Sequence, residues 1–191
     1  LMTDINIRKL MDNGKTYTYG LTAKAADNQL AATLRLNDNE DHPVRGSIST
    51  RASFSKATGG VSVADIIVEP SDISIGDTIW NVHPSKIRYC KDDLTVDNFS
   101  IQHNNQFITI DGHATASADD VLSLKLKKIN IEYILNLVNF HSVDFSGMAT
   151  GEATLSALFS KEPQANASIT VDDFKFEYGR MGVLQANVSL D

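Results

Sequence analysis

The sequence has few of the residues that build covalent cross-links or metal sites. Its 191 residues include a single cysteine, Cys90, which excludes an internal disulfide and any site built from several cysteines. We interpret Cys90 as an unreactive strand residue. The five histidines include no i, i+4 pair, so we expect no zinc site.

Sequence motifs for catalysis and phosphate binding are also missing. The chain has no G-x-S-x-G motif, and Gly59-Gly60 leads into a predicted strand rather than a helix. Three acidic pairs, Asp92-Asp93, Asp119-Asp120 and Asp172-Asp173, each precede an apolar strand residue. We interpret these pairs as turn residues rather than acid–base or calcium groups, and we expect neither an enzyme nor a cofactor.

Long apolar runs and clusters of positive charge are absent as well. No stretch approaches the roughly 18 to 20 apolar residues that a membrane-spanning helix needs, and no signal-peptide pattern is present. The formal net charge is -7 and the lysines and arginines are scattered, which gives the wrong sign of charge for binding phosphate backbones. We therefore expect no nucleic-acid partner.

The dominant feature that is present is a two-residue alternation of apolar and polar side chains, interrupted by short polar turns. This pattern is typical of antiparallel strands joined as a meander. Alternating leucines at Leu122, Leu124 and Leu126 belong to one such strand. The other predicted strands cover 16–25, 29–36, 44–54, 60–68, 72–75, 78–82, 86–90, 94–103, 106–114, 142–159, 164–178 and 183–190.

The clearest predicted hairpin turns at Asn104-Asn105, because two asparagines tolerate the positive φ values of a type I′ turn. In the register that starts with His103 opposite Gln106, Ile101 lies opposite Ile108. The apolar residues of both strands then share one face of the sheet.

Two features interrupt the strand pattern. Apolar residues at Ile131, Ile134, Leu135 and Val138 have helical spacing and predict one short helix near 131–138. Prolines near 70 and 84 cannot donate to a strand ladder, so we expect a kink near 70–84. We predict that 1–191 is one continuous repeated β-strand segment, and that both ends are cuts in a longer protein.

From residue 73 onward, the order and spacing of several short motifs resemble the TamB (DUF490) family of the AsmA-like superfamily, especially its Bacteroidetes members. Each motif is degenerate, and 1–70 matches only as generic repeated strands. The motifs are Ile-x-Ile-Gly-Asp-Thr-x-Trp at 73–80, Pro-Ser-Lys-Ile-Arg-Tyr at 84–89, Leu-Thr-Val-x-Asn-Phe-Ser-Ile at 94–101, Ile-x-Ile-x-Gly at 108–112, Phe-Ser-Gly at 145–147 and Val-Asp-Asp-Phe at 171–174.

The resemblance implies an envelope protein that is tethered to the inner membrane and spans the periplasm as a long β-structure. Such proteins look like conduits that carry phospholipid acyl chains along an apolar groove to the outer membrane, and they are linked with outer-membrane protein assembly. The present chain would be an internal or N-terminal-side segment. Contact with an outer-membrane barrel assembly protein, and with a membrane, would then occur through other parts of the parent protein.

The fold class we expect is all-β: an antiparallel meander that forms an extended curled sheet or open groove. A closed sandwich core would produce the same alternation, so a β-sandwich adhesion module or glycan- or protein-interaction module is the alternative. We interpret Trp80 as packed on the apolar face rather than as a platform for carbohydrate. The candidate lipid-facing residues are Ile73, Ile75, Phe99, Ile101, Ile108, Ile110, Leu122, Leu124 and Leu126.

Overall fold

The computed structural model describes residues 2–10, 16–38, 44–75, 77–132 and 144–190. Within these ranges the protein is all-β, and every strand pairs with its neighbours in antiparallel fashion, as the alternation predicts. The chain divides into two compact units, Leu1–His103 and Asn104–Asp191. Ile131 and Glu132 begin a helical turn, and the rest of the predicted helix lies outside the described residues.

The first unit contains nine strands, and the first four pair in sequence order. Strand β1 falls in a segment for which the sequence predicted no strand. The strands are β1 (Met2–Leu10), β2 (Thr16–Ala26), β3 (Gln29–Asp38), β4 (Val44–Lys56), β5 (Ser62–Val68), β6 (Ser71–Ile75), β7 (Thr78–Val82), β8 (Ser85–Cys90) and β9 (Leu94–His103).

Strands β5 to β8 form one long hairpin that is interrupted in both arms. β5 and β6 both pair with β4, and β8 and β7 both pair with β9, while β5 pairs with β8 and β6 with β7. The interruptions are Glu69-Pro70 in one arm and His83-Pro84 in the other, where proline has no N–H to donate. The outer strands still accept hydrogen bonds there, from Glu69 N to Ser49 O and from His83 N to Ser100 O, each 2.8 Å long.

The second unit is a simple meander of five strands paired in sequence order. The candidate residues from Ile108 onward all belong to this unit. The strands are β10 (Gln106–Ala114), β11 (Val121–Asn130), β12 (Phe145–Ser156), β13 (Gln164–Phe176) and β14 (Gly179–Leu190).

Bulges shift the register in three strands of the second unit. The shifts occur beside Lys128, which has a φ of 51°, at Gly147 and beside Asp173, which has a φ of 50°. At Gly147 the extra residue lies on β13, opposite the glycine. The interpretation of Asp172-Asp173 as a turn is wrong, because Asp173 sits inside β13, where its short polar side chain tolerates the left-handed conformation of a bulge.

Two-residue turns close two of the hairpins. Asp27 and Asn28 have φ values of 50° and 59°, as a type I′ turn requires. Asn104-Asn105 is also a two-residue turn, as predicted, but only Asn104 has a positive φ, so the turn is not of type I′. The register that we expect across this second turn stays a prediction.

Strand register places most of the large apolar residues of the first unit on one side of the sheet, because directly opposite residues point to the same face. One row across the strands runs Leu30, Ala52, Ile66, Ile87 and Val96. We call this side the first apolar face; it includes Ile5, Tyr19, Leu21, Leu30, Leu34, Leu36, Ile48, Phe54, Ile66, Val68, Ile73, Ile75, Trp80, Val82, Ile87, Val96, Phe99 and Ile101. Val63, Ile67 and Ile79 lie on the other side.

The opposite side of the first unit is polar and is cross-linked by side-chain contacts between neighbouring strands. Arg88 Nη1 donates to Asp65 Oδ1 at 3.0 Å, and Arg51 Nε pairs with Glu69 Oε1. Thr33 and Ser49 share a hydroxyl hydrogen bond of 3.0 Å. The sheet of this unit is therefore amphipathic, with its ion pairs on the side away from the apolar face.

The second unit shows the same division. One polar row across the strands runs Lys125, Glu152, Ser168 and Asn187. The other side, the second apolar face, includes Ile108, Ile110, Leu122, Leu124, Leu126, Ile129, Ala149, Ala153, Leu155, Ile169, Val171, Leu184, Val188 and Leu190.

Candidate functional site

The nine candidate lipid-facing residues fall on the two apolar faces. Ile73, Ile75, Phe99 and Ile101 lie on the first apolar face, where they belong to or pack against one core cluster. The other five lie on the second apolar face, where Ile108 is directly opposite Leu126, Ile110 is opposite Leu124, and Leu122 is opposite Gly112. Within each unit, the structure therefore brings the candidates together on a single side of the sheet.

The core cluster of the first unit consists of Val68, Ile73 and Val82, which are 4%, 5% and 2% exposed. Leu36 of β3 and Phe99 of β9 both pack against it. Leu36 is two strands from Ile73 in the pairing order, and Phe99 lies on the strand next to the one that carries Val82. The core cluster therefore collects side chains from strands on both of its sides.

Gly46 creates the space that brings Leu36 to the cluster. Leu36 lies opposite Gly46, and Gly46 lies opposite Ile73, so the residue between the two large side chains has no side chain of its own. Gly46 has a φ of 143°, and a Cβ there would lie 2.7 Å from the carbonyl oxygen of Asp72. Both the backbone conformation and the close approach of β4 to β6 require glycine.

Several apolar side chains that the sequence prediction omitted are more accessible than the predicted ones. Leu21 and Leu34 lie opposite each other on the first apolar face, and each is 37% exposed. Leu184 and Val188 are exposed on the second apolar face. Ile73 is too deeply buried to contact a ligand directly. All four missed residues carried the same alternation signal, but for Leu21 and Leu34 the motif resemblance did not extend over 1–70.

Trp80 is packed on the first apolar face, as expected, and is 4% exposed. It lies opposite Ile73, and its ring centroid is 5.9 Å from that of His103. Its indole Nε1 is buried without a hydrogen-bond partner, as are Nε2 of His83 and Oγ of Ser85.

Within 2–10, 16–38, 44–75, 77–132 and 144–190, no group of three or more His, Cys, Asp or Glu side chains could hold a metal ion. In the second unit, His113 Nδ1 lies 3.2 Å from Asp120 Oδ1, and Thr115 also donates to Asp120. For the same residues, no helix combines the length and the apolar character that crossing a membrane requires.

An open depression of about 750 Å³ lies mainly on the polar side of the first unit. Its lining includes Met2, Lys24, Ala31, Arg51 and Ile67, which form one continuous row across β1 to β5. The guanidinium of Arg51 is already paired with Glu69. The depression therefore lacks the converging polar groups that orient a small ligand in a specific pocket.

Comparison with known proteins identifies no relative. No protein-family model matches the chain, and neither a curated protein nor a solved structure matches it.

Proposed function

We propose that this chain is a non-enzymatic segment of a TamB-like protein that spans the periplasm from an inner-membrane tether. Its apolar sheet faces would bind the acyl chains of phospholipids moving toward the outer membrane. The observation that supports the proposal is that most large apolar side chains of the first unit lie on one side of the sheet, with ion pairs on the other.

Acyl chains suit such a face because they need no directional contacts. Leu21, Leu34 and Phe54 are only partly covered on the first apolar face, so a hydrocarbon chain can remove further apolar surface from water. Each Å² of apolar surface removed contributes about 25 cal/mol. Leu184 and Val188 offer the same kind of surface on the second apolar face.

The rival function is that of a β-sandwich module for adhesion or for glycan or protein binding. One observation favours it: Tyr178 is fully exposed in the turn between β13 and β14, where an aromatic ring can serve as a contact residue. Against it stands the partly exposed apolar face of the first unit. A sandwich buries both of its inner faces against each other.

The first test compares two double variants of the intact chain that change side chains of similar exposure on opposite sides of the first unit. Leu21→Gln with Leu34→Gln alters the first apolar face, whereas Ile67→Gln with Ile79→Gln alters the opposite side. After gentle purification, native mass spectrometry counts bound phospholipid, and circular dichroism confirms that both variants are folded. We expect the first double variant to lose lipid and the second to retain it.

The second test uses Trp80, the only tryptophan of the chain, as a reporter on the first apolar face. Phospholipids with brominated acyl chains should quench its fluorescence, whereas soluble bromide should not. The proposal is contradicted if wild-type protein purifies without phospholipid and brominated lipid leaves its Trp80 fluorescence unchanged. That pair of results would favour the interaction module.

A further inference from the structure

Lys56 lies at the end of strand β4, on the apolar side of the first unit. It is opposite Ser62 of β5, and its Nζ donates to Ser62 Oγ at 3.0 Å. Among the described residues Lys56 forms no ion pair, whereas Arg51 and Arg88 on the polar side are both paired with carboxylates. An ammonium group has three donors, so Lys56 can bind an anion while it keeps its contact with Ser62.

Two aromatic side chains lie one row inward from Lys56. Phe54 and Tyr89 are both directly opposite Ala64, one on each side of it, and they are 45% and 42% exposed. Since neighbouring strands are about 4.8 Å apart, the backbones that carry the two rings are separated by roughly 10 Å. Ala64, with its small side chain, forms the floor between the rings.

The rows further inward are aliphatic. The next row holds Ala52, Ile66, Ile87 and Val96, and beyond it lies the core cluster around Ile73. From the turn between β4 and β5 inward, the face therefore changes from charged and hydroxyl groups to aromatic rings and then to aliphatic side chains. Phospholipids present the same order of groups, and in membrane proteins tyrosine rings are enriched where headgroups meet acyl chains.

We propose that this end of the first apolar face holds the headgroup of a phospholipid, with the Lys56 ammonium bound to the phosphate and the glycerol backbone between Phe54 and Tyr89. The acyl chains then extend along β5 and β8 toward Ile73. The inference rests on the proposed lipid-binding function and adds to it an orientation and a requirement for phosphate. Strands β4, β5 and β8 are each paired on both sides, so the site does not depend on an open strand edge.

The first experiment compares phosphatidylglycerol with diacylglycerol that has the same brominated acyl chains, so that the two lipids differ by the phosphate headgroup. Binding to the full chain is followed by quenching of Trp80 fluorescence, and the wild type should bind phosphatidylglycerol more tightly. We expect Lys56→Gln to raise the dissociation constant for phosphatidylglycerol by about three- to fivefold, the upper range for an exposed ion pair, and to leave that for diacylglycerol unchanged. Lys56→Arg keeps the charge and should bind both lipids as the wild type does.

Lys86→Gln is the matched control, because Lys86 is an exposed lysine on the polar side of β8, opposite Ile67 of β5. This variant removes the same charge and should leave both dissociation constants unchanged. Equal losses of phosphatidylglycerol binding in Lys56→Gln and Lys86→Gln would show a general effect of net charge and would overturn the proposal. Circular dichroism confirms that both variants are folded.

The position of bromine along the acyl chain tests the orientation. Trp80 lies on the same face as Tyr89, further along the arm formed by β8 and β7. At about 3.3 Å per residue, the two are roughly 30 Å apart along the strands. Bromine near the methyl end of the acyl chain should therefore quench Trp80 more strongly than bromine near the carboxyl end. The reverse order would overturn the proposed orientation.

The outcomes separate this proposal from the function on which it rests. Binding of both lipids with equal affinity, unchanged in Lys56→Gln, would overturn the headgroup site and leave the lipid-binding function supported. Failure of the wild type to bind either lipid would overturn both.

Discussion

Gly46 of β4 lies directly opposite Ile73 of β6, and a Cβ at position 46 would lie 2.7 Å from the carbonyl oxygen of Asp72 and 3.0 Å from the Cα of Ile73. The two backbones approach each other more closely than any side chain at position 46 would allow. This contact lets Leu36 reach the core cluster of the first unit across a residue that has no side chain.

Gly46→Ala should destabilise the first unit by about 1–3 kcal/mol or more, because it adds a backbone clash to an unfavourable φ. The measurement is urea unfolding followed by Trp80 fluorescence. Gly60→Ala is the matched control, since Gly60 has a φ of 78° but nothing within 4 Å of a built Cβ. Equal losses of stability in the two variants would show that the close approach to β6 has no energetic role.

Ile73→Ala should lower the free energy of unfolding by about 2–5 kcal/mol, because it leaves a cavity in the core cluster. Ile79→Ala removes the same atoms from a side chain that is 58% exposed on the other side of the neighbouring strand, and should cost less than about 1 kcal/mol. Denaturant unfolding of both variants checks the difference. Similar costs would mean that the assignment of the two faces is incorrect.

Asn98 has a φ of 52° within β9, where the apolar residues change from even to odd positions between Val96 and Phe99. Asn98→Val should cost about 1–3 kcal/mol because a β-branched residue is strained in this conformation. Asn98→Gly should remain within about 1 kcal/mol of the wild type, since glycine adopts it freely. Thermal unfolding distinguishes the two variants, and a tolerated valine would argue against the left-handed backbone at position 98.

The ion pair between Arg51 and Glu69 should couple by only about 0.2–1 kcal/mol, because the arginine side chain is 69% exposed and solvent screens the charges. A double-mutant cycle with Arg51→Ala and Glu69→Ala, run at low and high salt, measures the coupling. The coupling should shrink as salt rises. A large coupling that is insensitive to salt would indicate a pair shielded from water.

The strand pattern was largely predictable because alternation depends on local sequence. β2 to β14 follow from it to within a few residues, whereas β1 was missed because Met2–Leu10 offers only a short alternating stretch with charges at its end. Positive φ values at Asn98, Lys128 and Asp173 were not predictable. They depend on how neighbouring strands keep their apolar sides aligned, which is a property of the sheet and not of any one strand.

The candidate lipid-facing residues were correctly grouped by side but not by accessibility. Alternation predicts which side of a strand a residue lies on, yet it carries no information on how side chains of separate strands pack, which buries Ile73 and leaves Leu34 partly open. That packing depends on the close approach at Gly46, which brings together strands that are far apart in the sequence. The role of the candidate residues as lipid contacts stays a prediction.

The interrupted hairpin implies that the first unit does not open uniformly. β6 and β7 are held at their outer sides by three residue pairs to β4 and two to β9, whereas β5 alone has seven pairs to β4. Beyond Pro70 and Pro84, these two short strands therefore depend on the packing of Ile73, Trp80 and Val82 on the first apolar face more than on backbone pairing to their outer neighbours. We expect Ile73→Ala to speed amide exchange in β6 and β7 more than in β5 and β8.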